Sequence, residues 1–351
     1  MQWLEGFLPV VASLFIGVLG AIVFSFIHVP LPWLLGAIVA IAIASRFPKI
    51  PLRSPKMFSA PARAVLGITI GSAFNPTILH YLEDFISSIV LILPFVLLTT
   101  FCGMLYYWKW LKFDKMTAYF SSMPGGLLEM VTLAEAMGAN VYKVTMTQSV
   151  RLLCIVFTLP FIIQAISHVS LDGRVSITQP LLHSDPHDMV ILIVCALLGW
   201  WGALKLKLPG GTMLGPMILG AFVYGSGMVH SRPPSEIIKL IQLILGTTVG
   251  FVFVGVKAKE IVKILGQTLG YFVILAMISA LFVFVVTEMT EFPLVSILLA
   301  FSPGGQSEMN LIAIIVAANL PYVALHHIVR MFLVMSVAPV FVKYLCPKGD
   351  R

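Results

Sequence analysis

The sequence predicts an all-α polytopic membrane protein made of two inverted repeats, each with about five transmembrane helices plus one broken or re-entrant Pro-Gly-Gly segment. Three observations carry this. Hydrophobic residues are 59% of the 351 and charged residues only 11%, against about 25% charged in a soluble domain. Mean hydropathy is +1.01, so lipid must be the solvent over most of the chain. The second observation is a doubling. Residue n reads onto residue n + 179 without a gap: Pro124-Gly125-Gly126-Leu127-Leu128-Glu129-Met130 falls on Pro303-Gly304-Gly305-Gln306-Ser307-Glu308-Met309. Gly20, Pro30 and Leu35-Gly36 fall on Gly199, Pro209 and Leu214-Gly215, and Gly67, Thr69 and Gly71 on Gly246, Thr248 and Gly250. Asn140, Arg151 and Pro160 fall on Asn319, Arg330 and Pro339. The third observation is the placement of charge in the loops, which sets orientation.

Apolar segments lie near 6–27, 32–45, 58–79, 85–108, 117–138 and 141–166, with partners near 188–206, 211–228, 237–256, 264–287, 293–318 and 321–345. The first has no basic leader and a long apolar run, and reads as a retained span rather than a cleaved signal. The second of each set follows Pro30-Leu31-Pro32 or Pro209-Gly210-Gly211, which break the helix and turn the chain. Repeat one is 1–166, an external linker 167–187, and repeat two 188–351.

Arg46, Lys49, Arg53 and Lys56 follow the second segment, and Lys109, Lys112 and Lys115 the fourth; Glu83 and Asp84 lie between. By the positive-inside rule both basic loops and the N-terminus are cytoplasmic. In the second half the basic clusters have moved, to Lys205 and Lys207 and to Lys257, Lys259 and Lys263. Equivalent loops then face opposite sides, and each repeat crosses an odd number of times. The non-crossing segment is taken to be the Pro-Gly-Gly one, because broken backbone at membrane depth needs protein or a water-filled cavity around it. Both termini are then cytoplasmic, with Lys343, Lys348 and Arg351 holding the C-terminus.

The net charge of +7 is read as topology signal, not as a nucleic-acid footprint. Cys102, Cys154, Cys195 and Cys346 have no metal or disulfide spacing. The eight histidines show no recurrent ligand spacing, and a metal site is not expected. No Walker-type phosphate loop is present, which argues against an ATP-driven pump.

The chemistry is expected at the doubled motif. Gly125, Gly126, Gly304 and Gly305 free the backbone for close approach of a ligand, and Ser307 joins the binding set. Half-helices starting there point N–H groups at the midplane and suit an anion. The alternative is that these glycines serve helix packing alone. Glu129 and Glu308 are ion-coupling candidates, since an intramembrane carboxylate is costly and functional by default. They could instead pair structurally with Arg151 and Arg330, which could also clamp a substrate anion. Thr69 and Thr248 are weaker cavity-lining candidates. Ser122 and Ser302 are read as caps, Asn140 and Asn319 as helix terminators, and Gly36 as more tolerant of substitution than Gly125 or Gly304.

The doubled Pro-Gly-Gly-x-x-Glu-Met, with Pro-x-x-x-x-Leu-Gly at 30–36 and 209–215, resembles the AbrB-duplication family of bacterial membrane proteins over the whole chain. That family is similar in plan to the cation–proton antiporter and anion transporter folds. The resemblance implies broken helices crossing near the midplane and residence in the bacterial cytoplasmic (inner) membrane. Labels used in the family include ammonia monooxygenase and regulator. The histidine inventory does not supply the copper or iron site a monooxygenase needs. The expected function is therefore secondary active transport of a small anionic or zwitterionic metabolite, coupled to protons or, second, to sodium. The protein would not be an enzyme, would carry no cofactor or metal and no catalytic residues, and would bind no nucleic acid; a homodimer is compatible with this. The alternatives are a membrane-embedded sensor or regulator of gene expression and, last, a membrane monooxygenase.

Overall fold

The computed structural model describes residues 2–74, 82–167, 180 and 184–345. Most of the 167–187 linker, Cys346 and the C-terminal basic residues Lys348 and Arg351 lie outside the described residues. Among the described residues every regular element is helical. The first half contains α1 (Gln2–Phe26), α2 (Pro32–Ala44), α3 (Ser59–Gly71), α4 (Leu82–Val90), α5 (Ile92–Leu105), α6 (Lys115–Ser122), α7 (Leu127–Ala136) and α8 (Val141–Ser167). The second contains α9 (Pro186–Lys205), α10 (Gly211–Gly225), α11 (Ser235–Gly250), α12 (Ala258–Met289), α13 (Leu294–Ala300), α14 (Gln306–Ile315) and α15 (Leu320–Leu345). Seven helices among the described residues are long and apolar enough to cross a membrane, and Pro32–Ala44 and Gly211–Gly225 are shorter apolar helices. A helix at about 1.5 Å per residue needs roughly 20 residues to span, so α2 and α10 are short for a perpendicular crossing.

The spacing of 179 recurs in the backbone. His28 and Lys207 both take left-handed conformations, as do Leu31 and Gly210, and Gly138 and Ala317. Each pair stands at matching places: after α1 and α9, before α2 and α10, and after α7 and α14. A positive φ strains any residue with a Cβ, so its recurrence at matching places means the same turns are built by different side chains. Asn140 does not terminate a helix: its Oδ1 accepts the Lys143 N–H at 3.0 Å and so opens α8. The preceding helix is ended instead by Gly138, whose φ of 76° is the left-handed cap.

The chain forms two compact units, each drawing on both halves of the sequence. The first comprises residues 1–79, 157–256 and 310–321, and the second 80–156, 257–309 and 322–351. Compactness thus follows a different partition from the two sequence halves, and unit boundaries cut α8, α14 and α15.

In the first unit α2 lies on α1, α10 on α9, α10 on α3 and α11 on α2. Glycine makes these approaches possible. A Cβ on Gly20 or Gly36 would overlap the other's backbone carbonyl, and Gly199 and Gly215 repeat the arrangement. The Gly67 position abuts the Met213 carbonyl, and Gly246 abuts that of Leu34, its counterpart 179 residues earlier. Between apolar helices in lipid, such contacts supply the van der Waals packing that a hydrophobic driving force supplies in water. The expectation that Gly36 tolerates substitution is therefore corrected: its neighbour is backbone, which cannot swing aside.

In the second unit, α5, α6 and α12 pack together around Tyr107, Phe113, Ala118, Tyr271 and Leu275. The α5 helix runs into a π-helical turn at Tyr106–Trp110, an irregularity that occurs frequently at functional sites.

Candidate functional site

Both Pro-Gly-Gly segments are broken helices, as the sequence suggests, and both breaks lie in the second unit. The cause is local. Asp114 starts α6 by accepting the Thr117 N–H at 2.8 Å, and Pro124, without an N–H, ends it. The backbone is extended at Met123 and at Gly126 before α7 begins. Pro303 ends α13 in the same way. Each stop leaves carbonyls with no helical partner, inside an apolar environment where an unpaired carbonyl is costly.

The last long helix of each half satisfies them. Gln148 Nε2 donates to the Phe120 and Met123 carbonyls at 2.7 and 3.0 Å. Arg151 donates to Met123 at 2.8 Å and to Gly125 at 3.4 Å. At the second break His327 Nε2 faces the Leu299 carbonyl at 3.0 Å. Arg330 donates to Ser302 at 2.8 Å and to Gly304 at 3.0 Å. Every donor and acceptor in the second set stands 179 residues after its counterpart, so one cage is built twice. A cation at these carbonyls also offsets the partial negative charge at the end of α6 and of α13.

The motif's remaining residues explain each other. A Cβ on Gly126 would overlap the Glu129 carboxylate, and one on Gly305 would overlap that of Glu308. Both glutamates stand third in their helices and fold back over the N-cap glycine, as in a capping box. A Cβ on Gly125 or Gly304 would press on the Met130 or Met309 side chain. The two glycines thus make room for a carboxylate and a thioether of their own helix. They are not an open backbone surface, and the N-termini of α7 and α14 already carry an acidic side chain.

Arg151 and Arg330 are only 3% and 5% exposed, and each guanidinium is directed at backbone carbonyls. Tyr271 lies beside Arg151, and His327 Nδ1 is 2.7 Å from Arg330 Nη2. The arginine hydrogen bonds do not go to Glu129 or Glu308; among the described residues neither guanidinium has a carboxylate partner. The two arginines stand close enough for the charge on Arg151 to act on Arg330. Glu308 is buried at 6% exposure and Ser307 is buried beside it, whereas Glu129 is half-buried.

Ser122 and Ser302 donate to carbonyls of their own helices, Tyr119 and Leu298. Thr69 and Thr248 belong to the first unit, where their hydroxyls donate to the carbonyls of Val65 and Ile244 at 2.9 and 2.8 Å. Thr248 also meets Ser59 at 3.2 Å. Two residues had no signal in the sequence pattern. Tyr271, in the long apolar run of α12, donates to the Ser122 carbonyl. Ser88 bonds His326 Nε2 at 2.9 Å, while His326 Nδ1 meets the Tyr322 carbonyl at 2.8 Å.

Comparison with known proteins agrees with the resemblance carried by the motif. "Uncharacterized protein YhjN" of Bacillus subtilis (strain 168) is 29% identical over 355 aligned residues, covering 93% of this chain and 90% of that protein. "Putative regulator AbrB" of Escherichia coli (strain K12) is 25% identical over 350, covering 98% and 97%. The family described as transition state regulatory protein AbrB matches residues 33–346, nearly the whole chain, and this multi-helical membrane-type protein therefore belongs to the AbrB family.

Proposed function

We propose that the protein is a secondary active transporter of a small anionic or zwitterionic metabolite, coupled to protons, and not an enzyme. The observation that carries this is the repeated break. Two discontinuous helices each carry one motif glutamate, and each break is held at its carbonyls by one buried arginine from the long helix that follows. Ionisable groups and irregular backbone within membrane helices are expensive and mark solute or ion pathways. A solute carboxylate suits the positive charge of an arginine, and a zwitterion adds an amine suited to a glutamate. Gly125, Gly126, Gly304, Gly305 and Ser307 would shape the site. A proton taken up by Glu129 or Glu308 would weaken its hold on the N-cap, freeing helix N–H groups for an anion. Proton and anion would then move together. Sodium is the second choice of coupling ion.

In this reading residues 1–166 and 188–351 are inverted repeats joined by an external linker, in the bacterial cytoplasmic membrane with both termini inside. Reporter fusions after Lys56 and after Lys259 are expected to read cytoplasmic, and one at Asp185 external. A cytoplasmic Asp185 would require an even number of crossings per repeat and would remove the inversion.

Uptake of labelled metabolite anions into proteoliposomes tests the activity, after a screen for solutes that raise the melting temperature of the purified protein. Glu129→Gln and Glu308→Gln are expected to lower uptake while leaving folded protein, with the pH profile changed in at least one. Unchanged uptake and unchanged pH dependence in both would take the glutamates out of the mechanism. The name of the Escherichia coli relative favours a second reading, a membrane-embedded regulator that senses such a solute. That reading predicts binding without uptake.

A further inference from the structure

We infer that His327 is a proton-binding residue whose protonation opens the second helix break and not the first, which makes the doubled cage asymmetric toward acid. The inference deepens the transport reading, since it names a coupling group other than the motif glutamates. It rests on the hydrogen-bond geometry of one ring.

His327 Nε2 is 3.0 Å from the Leu299 carbonyl. A carbonyl only accepts, so Nε2 carries the hydrogen. Nδ1 is 2.7 Å from Arg330 Nη2. A guanidinium has five N–H donors and no acceptor, so Nδ1 must present its lone pair. The ring is therefore held neutral in one tautomer. A proton added at Nδ1 would set an N–H against an N–H and one positive charge against another, away from water. The same Nη2 holds the Gly304 carbonyl at 3.0 Å. If it withdraws, the carbonyl between the two motif halves is released with it.

The charged and titratable groups around this ring are few. Arg330 and His326 on its own helix act on it, and Arg151 on α8 acts through Arg330. From α13 it meets the Leu299 backbone carbonyl. On α14, Glu308 folds over Gly305. His326 differs in the partner of its free nitrogen, the Ser88 hydroxyl. A hydroxyl can turn from donor to acceptor, so a proton on His326 breaks no hydrogen bond there. At the first break the residue matching His327 is Gln148, which makes the matching bond to the Phe120 carbonyl. An amide makes the same cap and has no proton to gain. Histidine is the side chain whose ordinary titration lies between about pH 5 and 8.

The test compares melting temperatures of purified full-length wild type, His327→Gln, His326→Gln and Gln148→His at about pH 8 and about pH 5. Wild type is expected to lose stability on acidification, His327→Gln to lose most of that fall, and His326→Gln to keep the larger part of it. Gln148→His, which places a second titrating ring beside Arg151, is expected to deepen it. Equal acid sensitivity of wild type and His327→Gln would overturn the inference. Should His327→Gln fail to fold, Gln148→His decides: an acid sensitivity no greater than that of wild type overturns it. The melts need no solute, so a wild type that transports nothing would sink the transport reading and leave this result standing. Where uptake is measured, its pH profile is expected to flatten in His327→Gln.

Discussion

Arg330→Leu is expected to destabilise the protein by several kcal/mol and to abolish anion uptake, while Arg151→Leu costs distinctly less stability. The difference comes from how each cage shares its carbonyls. Among the described residues Arg330 is the side chain seen to hold the Ser302 and Gly304 carbonyls, at 2.8 and 3.0 Å, and it also satisfies His327 Nδ1. Its loss strands three buried acceptors, each worth about 1–3 kcal/mol when left without a partner. Arg151 shares the Met123 carbonyl with Gln148, which stays 3.0 Å away. Of its carbonyl contacts, the long 3.4 Å one to Gly125 is then lost outright. Arg330→Lys keeps the charge, but a compact ammonium lacks the planar fork that spans two carbonyls and a ring nitrogen, so it should recover little. Thermal unfolding followed by tryptophan fluorescence, with uptake measured on the same preparations, checks this. If Arg330→Leu melts like wild type and fails only in uptake, the guanidinium serves solute alone and the cage is not what holds the break.

The breaks were legible in the sequence because their causes are local. Proline removes an N–H, Gly-Gly interrupts an apolar run, and the motif occurs twice. What the motif is for was less legible. The third-position glutamate read as an ion-coupling group or an arginine partner and the closing methionine carried no reading, yet each lies over one of the two glycines. That relation depends on the turn between two half-helices, which spacing along the chain does not specify. The arginines were visible as costly charges in an apolar helix. Their direction toward carbonyls rather than carboxylates depends on which element packs alongside. The pairing of Gln148 with His327 was hidden for a different reason. The two side chains differ in type, so a search for identical residues at a fixed offset passes over them, although they perform the same bond. The composition of the compact units was also out of reach, because each takes helices from both halves.

Gly36→Ala and Gly215→Ala are expected to be among the most damaging substitutions that add a single carbon. A Cβ at Gly36 falls on the Gly20 carbonyl, and one at Gly215 on the Gly199 carbonyl, with backbone atoms as the nearest neighbours in both cases. No rotamer change relieves such an overlap; the helices themselves must separate along α1–α2 or α9–α10. Overpacking a well-fitted core costs about 1–3 kcal/mol and occasionally more. Here it also gives up the close contact that holds apolar helices together in lipid. Gly202, on α9 with nothing within 4 Å of its Cβ position, supplies the control. Gly202→Ala should be neutral or slightly stabilising, by about 0.4–1 kcal/mol, because alanine restricts the unfolded chain. Gly125→Ala should fall between the two. Its nearest atoms belong to the Met130 side chain, at 2.8 Å, and a flexible thioether can move. Melting temperatures of the four variants in one detergent should therefore rank Gly202→Ala highest, then Gly125→Ala, with Gly36→Ala and Gly215→Ala lowest. If Gly36→Ala melts with Gly202→Ala, then α1 and α2 do not meet at Gly20 and Gly36, and the packing described for the first unit is wrong at that crossing.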